Sequence, residues 1–168
     1  PPRSTLFPYT TLFRSKDGRF PCERVKAAVA FAPAGYGFFD GATGLSKIEI
    51  PTLIMGGDRD GTCPMDSEIT PIYQALAVSE KALVTCINTG HMSFSNICDL
   101  IGPVNDYLKR EGCGEGFTSQ VDVFDVMGHY SLAFFRRYLD GDTRYDQYLS
   151  ADDPARWGLQ ATVETPAE

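Results

Sequence analysis

The sequence predicts a layered α/β domain in which short parallel strands form a sheet that is covered by helices. Two observations predict this fold class. Three short apolar runs are separated by segments of helical character, and an order of strand, helix, strand and helix is typical of parallel sheets. Each run is apolar at consecutive positions, as expected for a strand that is buried on both faces. The 168 residues are enough for one such domain.

Three strands are predicted, at Lys26–Ala32, Thr52–Met55 and Ala82–Ile87. Each run ends in small or polar residues, which are typical of turns. A helix is predicted between the second and third strands at Asp66–Ala77, because its apolar residues recur along one helical face after an Asp/Ser start.

The segment after the third strand is predicted to be helical, with one interruption. Phe94–Arg110 contains Gly102-Pro103, a pair that breaks a helix. A glycine-rich break follows, and Gln120–Leu139 then predicts a long helix with a broad apolar surface. The polar tail from Asp140 is expected to lie along the surface.

The first fifteen residues are set apart by their origin. Pro1–Ser15 resembles the conceptual translation of a common sequencing adaptor, and a natural strand pair with a turn at Pro8 is the alternative. On the adaptor interpretation, native protein begins near Lys16, and residues 16–168 are the C-terminal portion of a single domain whose N-terminal half is missing. The cellular compartment then stays open, because a targeting segment would have preceded this region.

The charge balance restricts the partners. Fifteen Lys and Arg residues against 22 Asp and Glu give a formal net charge of −7. An acidic chain argues against nucleic acid or an anionic membrane as the main partner. No apolar run reaches the roughly 20 residues that a membrane-spanning helix needs, so no membrane span is expected.

The cysteines do not predict a metal or redox motif. The five are Cys22, Cys63, Cys86, Cys98 and Cys113. No two of them form a C-x-x-C pair, so a zinc site is not indicated, and no cofactor is expected. Cys98 and Cys113 flank a helical segment and would form a disulfide in an oxidising compartment. The composition leaves that pairing open.

The residues that indicate chemistry follow two of the strands. Asp58 and Asp60 lie in the loop that follows the second predicted strand, and His91 lies in the loop that follows the third. Ligands of parallel sheets bind beyond the carboxyl ends of the strands. Asp60 precedes His91 by one crossover unit, so neighbouring strands would bring them together. A carboxylate on a histidine Nδ1 fixes the tautomer of a general base and stabilises its positive charge.

These motifs also carry a family resemblance. Pro51–Pro64 matches the pattern P-T-L-I-x-G-x-x-x-D-x-x-x-P, and Asn88–His91 (N-T-G-H) matches the loop that bears the base. The stretch from Val25 to about Leu139 resembles the C-terminal half of dienelactone-hydrolase-like α/β-hydrolases. Its central part is also similar to cutinase-like polyester hydrolases. The resemblance implies a partial α/β-hydrolase fold, with Asp60 as the orienting acid and His91 as the general base.

One element of that family pattern does not occur in this sequence. α/β-hydrolases hold a serine nucleophile in a G-x-S-x-G turn, followed in the chain by the acid and then the base. No such motif is found, and the nearest stretch, Gly44–Ile48, lacks the last glycine. The resemblance thus implies that the complete protein hydrolyses small-molecule esters or lactones through an acyl-enzyme. The chain itself is expected to be inactive, without the serine and the oxyanion hole.

Two alternatives stay open at this point. Asp58 to Thr62 reads D-x-D-G-T, which resembles the haloacid-dehalogenase-like phosphatases that use Mg²⁺. Against it, Gly56 and Gly57 separate the apolar run from Asp58, and the other motifs of that family are absent. The second alternative is a non-catalytic α/β binding module, in which Asp60 and His91 would point apart.

Overall fold

A computed structural model describes residues 25–100, 103–150 and 154–166 of the chain. Pro1–Ser15, for which the sequence suggests an adaptor origin, lies outside the described residues, as do Lys16 and Cys22.

The described strands form one sheet in the order β1, β2, β3 and β4. These strands are β1 (Ala28–Phe31), β2 (Thr52–Gly57), β3 (Lys81–Cys86) and β4 (Ala161–Glu164). The first three run parallel, with Ala28 opposite Thr52 and Thr52 opposite Lys81. All three predicted strands are therefore confirmed, together with their parallel arrangement.

The fourth strand corrects the expectation that the tail from Asp140 lies along the surface. β4 pairs antiparallel with β3, so that Val84 faces Val163 and Cys86 faces Ala161. Ala161 and Val163 are buried, whereas the two residues that alternate with them are exposed. This alternation is typical of a strand with one covered face, but four residues are too few to stand out in a sequence.

The second strand is longer than predicted, since it continues through Gly56 and Gly57. The carbonyl oxygen of Thr89 lies so close that a Cβ on Gly57 would be 2.1 Å from it. Glycine is therefore required where the strand passes the loop after β3. It follows that Asp58 comes directly after a strand, and that the supposed separation by Gly56 and Gly57 is wrong.

The helices cover both faces of the sheet. The α-helices are α1 (Gly41–Leu45), α2 (Thr70–Ala75), α3 (Ile97–Leu100), α4 (Asp106–Leu108), α5 (Gln120–Tyr138) and α6 (Asp146–Leu149). Short 3₁₀ turns lie at Gly37–Phe39, His91–Phe94, Thr143–Tyr145 and Pro154–Trp157, and π-helical turns lie at Met65–Ile69 and Lys109–Cys113. None of the described helices is long and apolar enough to cross a membrane.

Two of the three helical predictions hold closely. The structure has a helix in Gln120–Leu139, where Ser119 caps its first turn by accepting a hydrogen bond from the backbone N–H of Asp122. Asp66–Ala77 is also largely helical, as a π turn that continues into α2. Phe94–Arg110 has helix on both sides of the predicted interruption, as α3 before it and as α4 continuing into the π turn after it, although both helices are shorter than expected.

The core consists of two layers, one on each face of the sheet. Leu53 and Met55 of β2 pack with Val126, Tyr130 and Phe134 of α5 on one face. On the other face, buried side chains of β2 and β3 pack against the helical segment between them; these are Ile54, Leu83, Ile69, Ile72 and Leu76. Consecutive residues of β2 thus face opposite layers, which explains why the strand is apolar throughout.

Candidate active site

The loop after β2 holds one carboxylate in a fixed orientation. Asp60 is 5% exposed, and its Oδ1 accepts hydrogen bonds from the backbone N–H groups of Thr62 at 2.9 Å and Cys63 at 2.6 Å. The chain turns at this point because the Asp60 N–H donates to the carbonyl of Gly57. One carboxylate oxygen is therefore satisfied by its own loop, and the other, Oδ2, is left to a partner.

That partner is His91, at the start of the 3₁₀ turn after β3. Its Nδ1 lies 2.9 Å from Asp60 Oδ2. The histidine side chain is 26% exposed, whereas that of Asp60 is fully buried. The structure thus brings together the two residues that the sequence singles out. It does so because β2 and β3 are adjacent and parallel, so that the loops after their carboxyl ends lie side by side.

This geometry has a clear chemical capacity. A carboxylate is only a hydrogen-bond acceptor, so the hydrogen between Asp60 and His91 belongs to Nδ1. Nε2 then carries the lone pair and can accept a proton from a hydroxyl group. When it does so, the adjacent carboxylate stabilises the imidazolium. The pair is therefore arranged for general acid–base chemistry.

Asp58 does not share this arrangement. It is exposed, and its Oδ1 accepts a hydrogen bond of 3.2 Å from the backbone N–H of Thr89. Asp58 thus joins the two loops, while Asp60 is directed at His91. In a phosphatase of the D-x-D type both carboxylates would serve a phosphoryl group, and Asp60 here is already bonded to His91 and to its own loop.

A metal ion is disfavoured at the same place. Among the described residues, donor atoms of Asp60, Cys63 and His91 lie within 4.8 Å of one another. Metals bind the thiolate form of cysteine. Burial, followed by the charges of Asp60 and Glu68, raises the pKa of Cys63 to about 11. A metal ion there would have to displace the thiol proton and also break the hydrogen bond of His91 Nδ1.

Two contacts order the chain around the end of β1 and the turn that begins at His91. Phe94, three residues after His91, stacks on Phe31 at the end of β1 with ring centroids 6.5 Å apart. The loop that follows β1 is held by Glu68, whose Oε2 accepts the backbone N–H groups of Gly35 at 2.9 Å and Tyr36 at 3.0 Å.

Sequence reasoning missed a buried carboxylate at this site. Glu111 is 8% exposed, and its Oε2 accepts a hydrogen bond from the Gly61 N–H at 3.2 Å and from the Thr62 hydroxyl at 3.1 Å. Thr62 Oγ1 also lies 2.7 Å from the Tyr107 hydroxyl, which therefore donates to it. Glu111 stands in no motif, so no pattern in the sequence pointed to it.

The disulfide that the sequence left open is present. Cys98 and Cys113 are bonded, with their Cα atoms 5.4 Å apart. This bond links the segment after His91 to the π turn that carries Glu111. Of the cysteines in the described part of the chain, Cys63 and Cys86 are free and buried.

The chain is similar in sequence to several known proteins. A family model described as PETase, PET hydrolase-like, matches residues 21–165. Cutinase 2 of Thermobifida cellulosilytica is 30% identical over 120 residues, which cover 71% of this chain and 35% of that protein. Cutinase cut1 of Thermobifida fusca is also 30% identical, over 71% of this chain and 29% of the relative.

A third relative carries a different name. Bis(hydroxyethyl) terephthalate hydrolase of Streptomyces coelicolor is 27% identical over 104 residues, which cover 61% of this chain and 25% of that protein. The chain thus spans about a third of the length of the cutinases it matches, or less.

Proposed function

This chain belongs to the PET hydrolase-like family, and we propose that the complete protein hydrolyses carboxylic esters with a serine nucleophile. The observation that carries the proposal is the 2.9 Å contact between Asp60 Oδ2 and His91 Nδ1. In this proposal Asp60 is the orienting acid and His91 the general base. The names of the relatives, two cutinases and a bis(hydroxyethyl) terephthalate hydrolase, support an ester as the bond that is cleaved.

The reaction would proceed in two stages. His91 Nε2 takes the proton of the serine hydroxyl as its oxygen attacks the ester carbonyl, and then gives that proton to the departing alkoxide. An acyl-enzyme remains. Water then attacks it with the same assistance, which releases the carboxylic acid and restores the serine. Throughout both stages Asp60 stays ionised and stabilises the transient imidazolium.

We also propose that the serine and the oxyanion-hole donors belong to sequence outside this chain. No G-x-S-x-G turn occurs in the 168 residues, and the chain matches only about a third of its cutinase relatives. On this proposal residues 16–168 form the C-terminal portion of the hydrolase domain, and the chain by itself does not turn over substrate. The substrate class is a small-molecule ester or lactone, with no metal or other cofactor required.

The test uses the complete protein and a chromogenic carboxylic ester. His91→Ala should lower kcat by at least about 10⁴-fold, because loss of the base alone costs about 10⁶-fold in a well-studied serine protease. His129→Gln is the matched control, because His129 lies on α5 away from this pair, and it should stay within a few-fold of the parent activity. Activity of the His91→Ala protein within tenfold of the parent would refute the assignment. Magnesium-dependent hydrolysis of a phosphate ester in place of the carboxylic ester would favour the phosphatase.

A further inference from the structure

We propose that Glu111 is a positioning residue for the Asp60–His91 pair, because the turn that carries it packs against both loops of that pair. Its consequence for catalysis rests on the proposed function, whereas the structural part of the inference does not. The turn in question is Lys109–Cys113, which is defined here as the clamp turn.

The first link runs from the clamp turn to the acid. Glu111 Oε2 accepts the Thr62 hydroxyl at 3.1 Å, and the backbone N–H of the same Thr62 donates to Asp60 Oδ1 at 2.9 Å. Gly61, between them, also donates its N–H to Glu111. A continuous series of hydrogen bonds therefore runs from Glu111 through Thr62 to Asp60 and on to His91.

The second link runs from the clamp turn to the base. Gly90 precedes His91, and a Cβ on Gly90 would lie 2.5 Å from the carbonyl group of Glu111. A Cβ on Gly61, next to Asp60, would lie 2.6 Å from Glu111 Oε1. A glycine thus stands beside each member of the pair at the point where that loop meets Glu111. Both loops are shaped to let one residue approach them.

The backbone of the clamp turn supports this contact. It leaves helical geometry at Glu111 and Gly112, where the Gly112 φ is +123°. A Cβ on Gly112 would lie 2.4 Å from the hydroxyl oxygen of Ser93, two residues after His91. The disulfide then fixes Cys113 to Cys98 in the segment that follows the base. The clamp turn is therefore bonded covalently to one loop and by hydrogen bonds to the other.

Burial explains why the carboxylate is committed to this role. A buried carboxylate is costly unless it is hydrogen-bonded. The donors to Glu111 Oε2 are Gly61 and Thr62, which belong to residues 58–63, the loop that carries Asp60 (the acid loop). Removing the side chain would leave the Gly61 N–H and the Thr62 hydroxyl without that acceptor. The acid loop would then gain freedom just where it fixes Asp60 Oδ1.

The experiment measures the proton between Asp60 and His91 directly. In this chain, labelled with ¹⁵N-histidine, the His91 Nδ1–H should give a downfield proton resonance that exchanges slowly with water; a His129→Gln chain assigns it. E111A should make this exchange about tenfold faster, which corresponds to the free energy of about one hydrogen bond. E111Q should stay near the parent, because its side-chain carbonyl still accepts. E115A is the matched control, since Glu115 is exposed four residues away, and it should change nothing.

The outcomes that overturn the inference are specific. A folded E111A chain with the parent exchange rate refutes the positioning role, and E111Q as fast as E111A refutes the role of an acceptor. If E111A does not fold, Thr62→Val removes the hydroxyl link from an exposed position, and unchanged exchange in that chain refutes the inference as well. No step of this test measures hydrolysis, so it fails independently of the proposed function. In the complete protein, E111A should lower kcat with little change in KM.

Discussion

Asp60→Asn should abolish general-base function through the tautomer of His91, without displacing either side chain. Asp60 Oδ1 accepts two backbone N–H groups, at 2.9 Å and 2.6 Å. In the variant the amide oxygen must keep that position, because an NH₂ group there would face two donors. The NH₂ is then forced toward His91, 2.9 Å away in the parent. A donor at this place requires a lone pair on Nδ1, so the ring proton moves to Nε2.

The magnitude follows from that inversion. With its proton on Nε2, His91 cannot accept one from the serine, and the charge that stabilises the imidazolium is gone as well. The equivalent change in a well-studied serine protease lowers kcat by about 10⁴-fold, or about 5.5 kcal/mol in transition-state stabilisation. We expect the same order in the complete protein, with KM changed little, because Asp60 is buried away from substrate.

Two assays check this reasoning. Ester hydrolysis by the complete protein gives kcat, with Asp58→Asn as the matched control, because Asp58 is exposed and bonds only a backbone N–H in the neighbouring loop. ¹⁵N spectra of the histidine ring give the tautomer, which should change from Nδ1–H to Nε2–H. An Asp60→Asn protein that keeps the Nδ1–H tautomer, or hydrolyses esters within tenfold of the parent, would refute the argument.

Three further predictions concern stability, each measured by denaturant unfolding. Reducing the Cys98–Cys113 bond, which closes a loop of 15 residues, should lower the free energy of unfolding by about 3 kcal/mol. An unchanged denaturant midpoint of unfolding would contradict this. Phe134→Ala should lower the free energy of unfolding by about 3–5 kcal/mol, since Phe134 is 1% exposed in the core beside α5. Phe124→Ala should lower it far less, because Phe124 is 40% exposed on the same helix. Equal losses would refute the packing argument. Burial, followed by the Asp58 charge, raises the pKa of Cys86 from 9.0 to about 12, so its contribution is complete below pH 9. Between pH 9 and 12 the Cys86 thiol ionises only in the unfolded chain, so the free energy of unfolding should fall by up to about 1.4 kcal/mol per pH unit. A Cys86→Ala chain should lose less stability over that range. An equal loss in that chain would exclude Cys86 as the cause.

The part of the site that the sequence predicts is the part that local rules determine. Asp60 and His91 each follow a strand, and the two strands are neighbours in the chain and in the sheet. Their meeting therefore needed only the rule that parallel strands bring their carboxyl ends to one edge. The parallel order of the first three strands followed from their alternation with helical segments.

The parts that were missed depend on contacts between distant residues. Glu111 accepts hydrogen bonds from Gly61 across 50 positions of sequence and from Thr62 across 49. Its partners are a backbone N–H and a hydroxyl group, which are too common in proteins to mark a pairing. β4 joins the sheet only because β3 is there to pair with it. Such elements are too short or too ordinary in sequence to stand out, and tertiary packing determines them.

The proton-handling pair is built entirely from groups in residues 57–113. The end of β2 shapes the acid loop, Thr62 and Cys63 fix one carboxylate oxygen, and Glu111 with its disulfide fixes the loop itself. None of these contacts involves a nucleophile. We therefore expect the pair to form in this chain without a serine beside it. Substitutions in this region should accordingly alter proton transfer, and thus kcat, while oxyanion stabilisation is altered by residues elsewhere. One protein could combine a substitution in the Asp60–His91 region with one in the oxyanion hole. The fold-loss of kcat should then be smaller than the product of the two single losses, because a base without an oxyanion hole has little left to contribute.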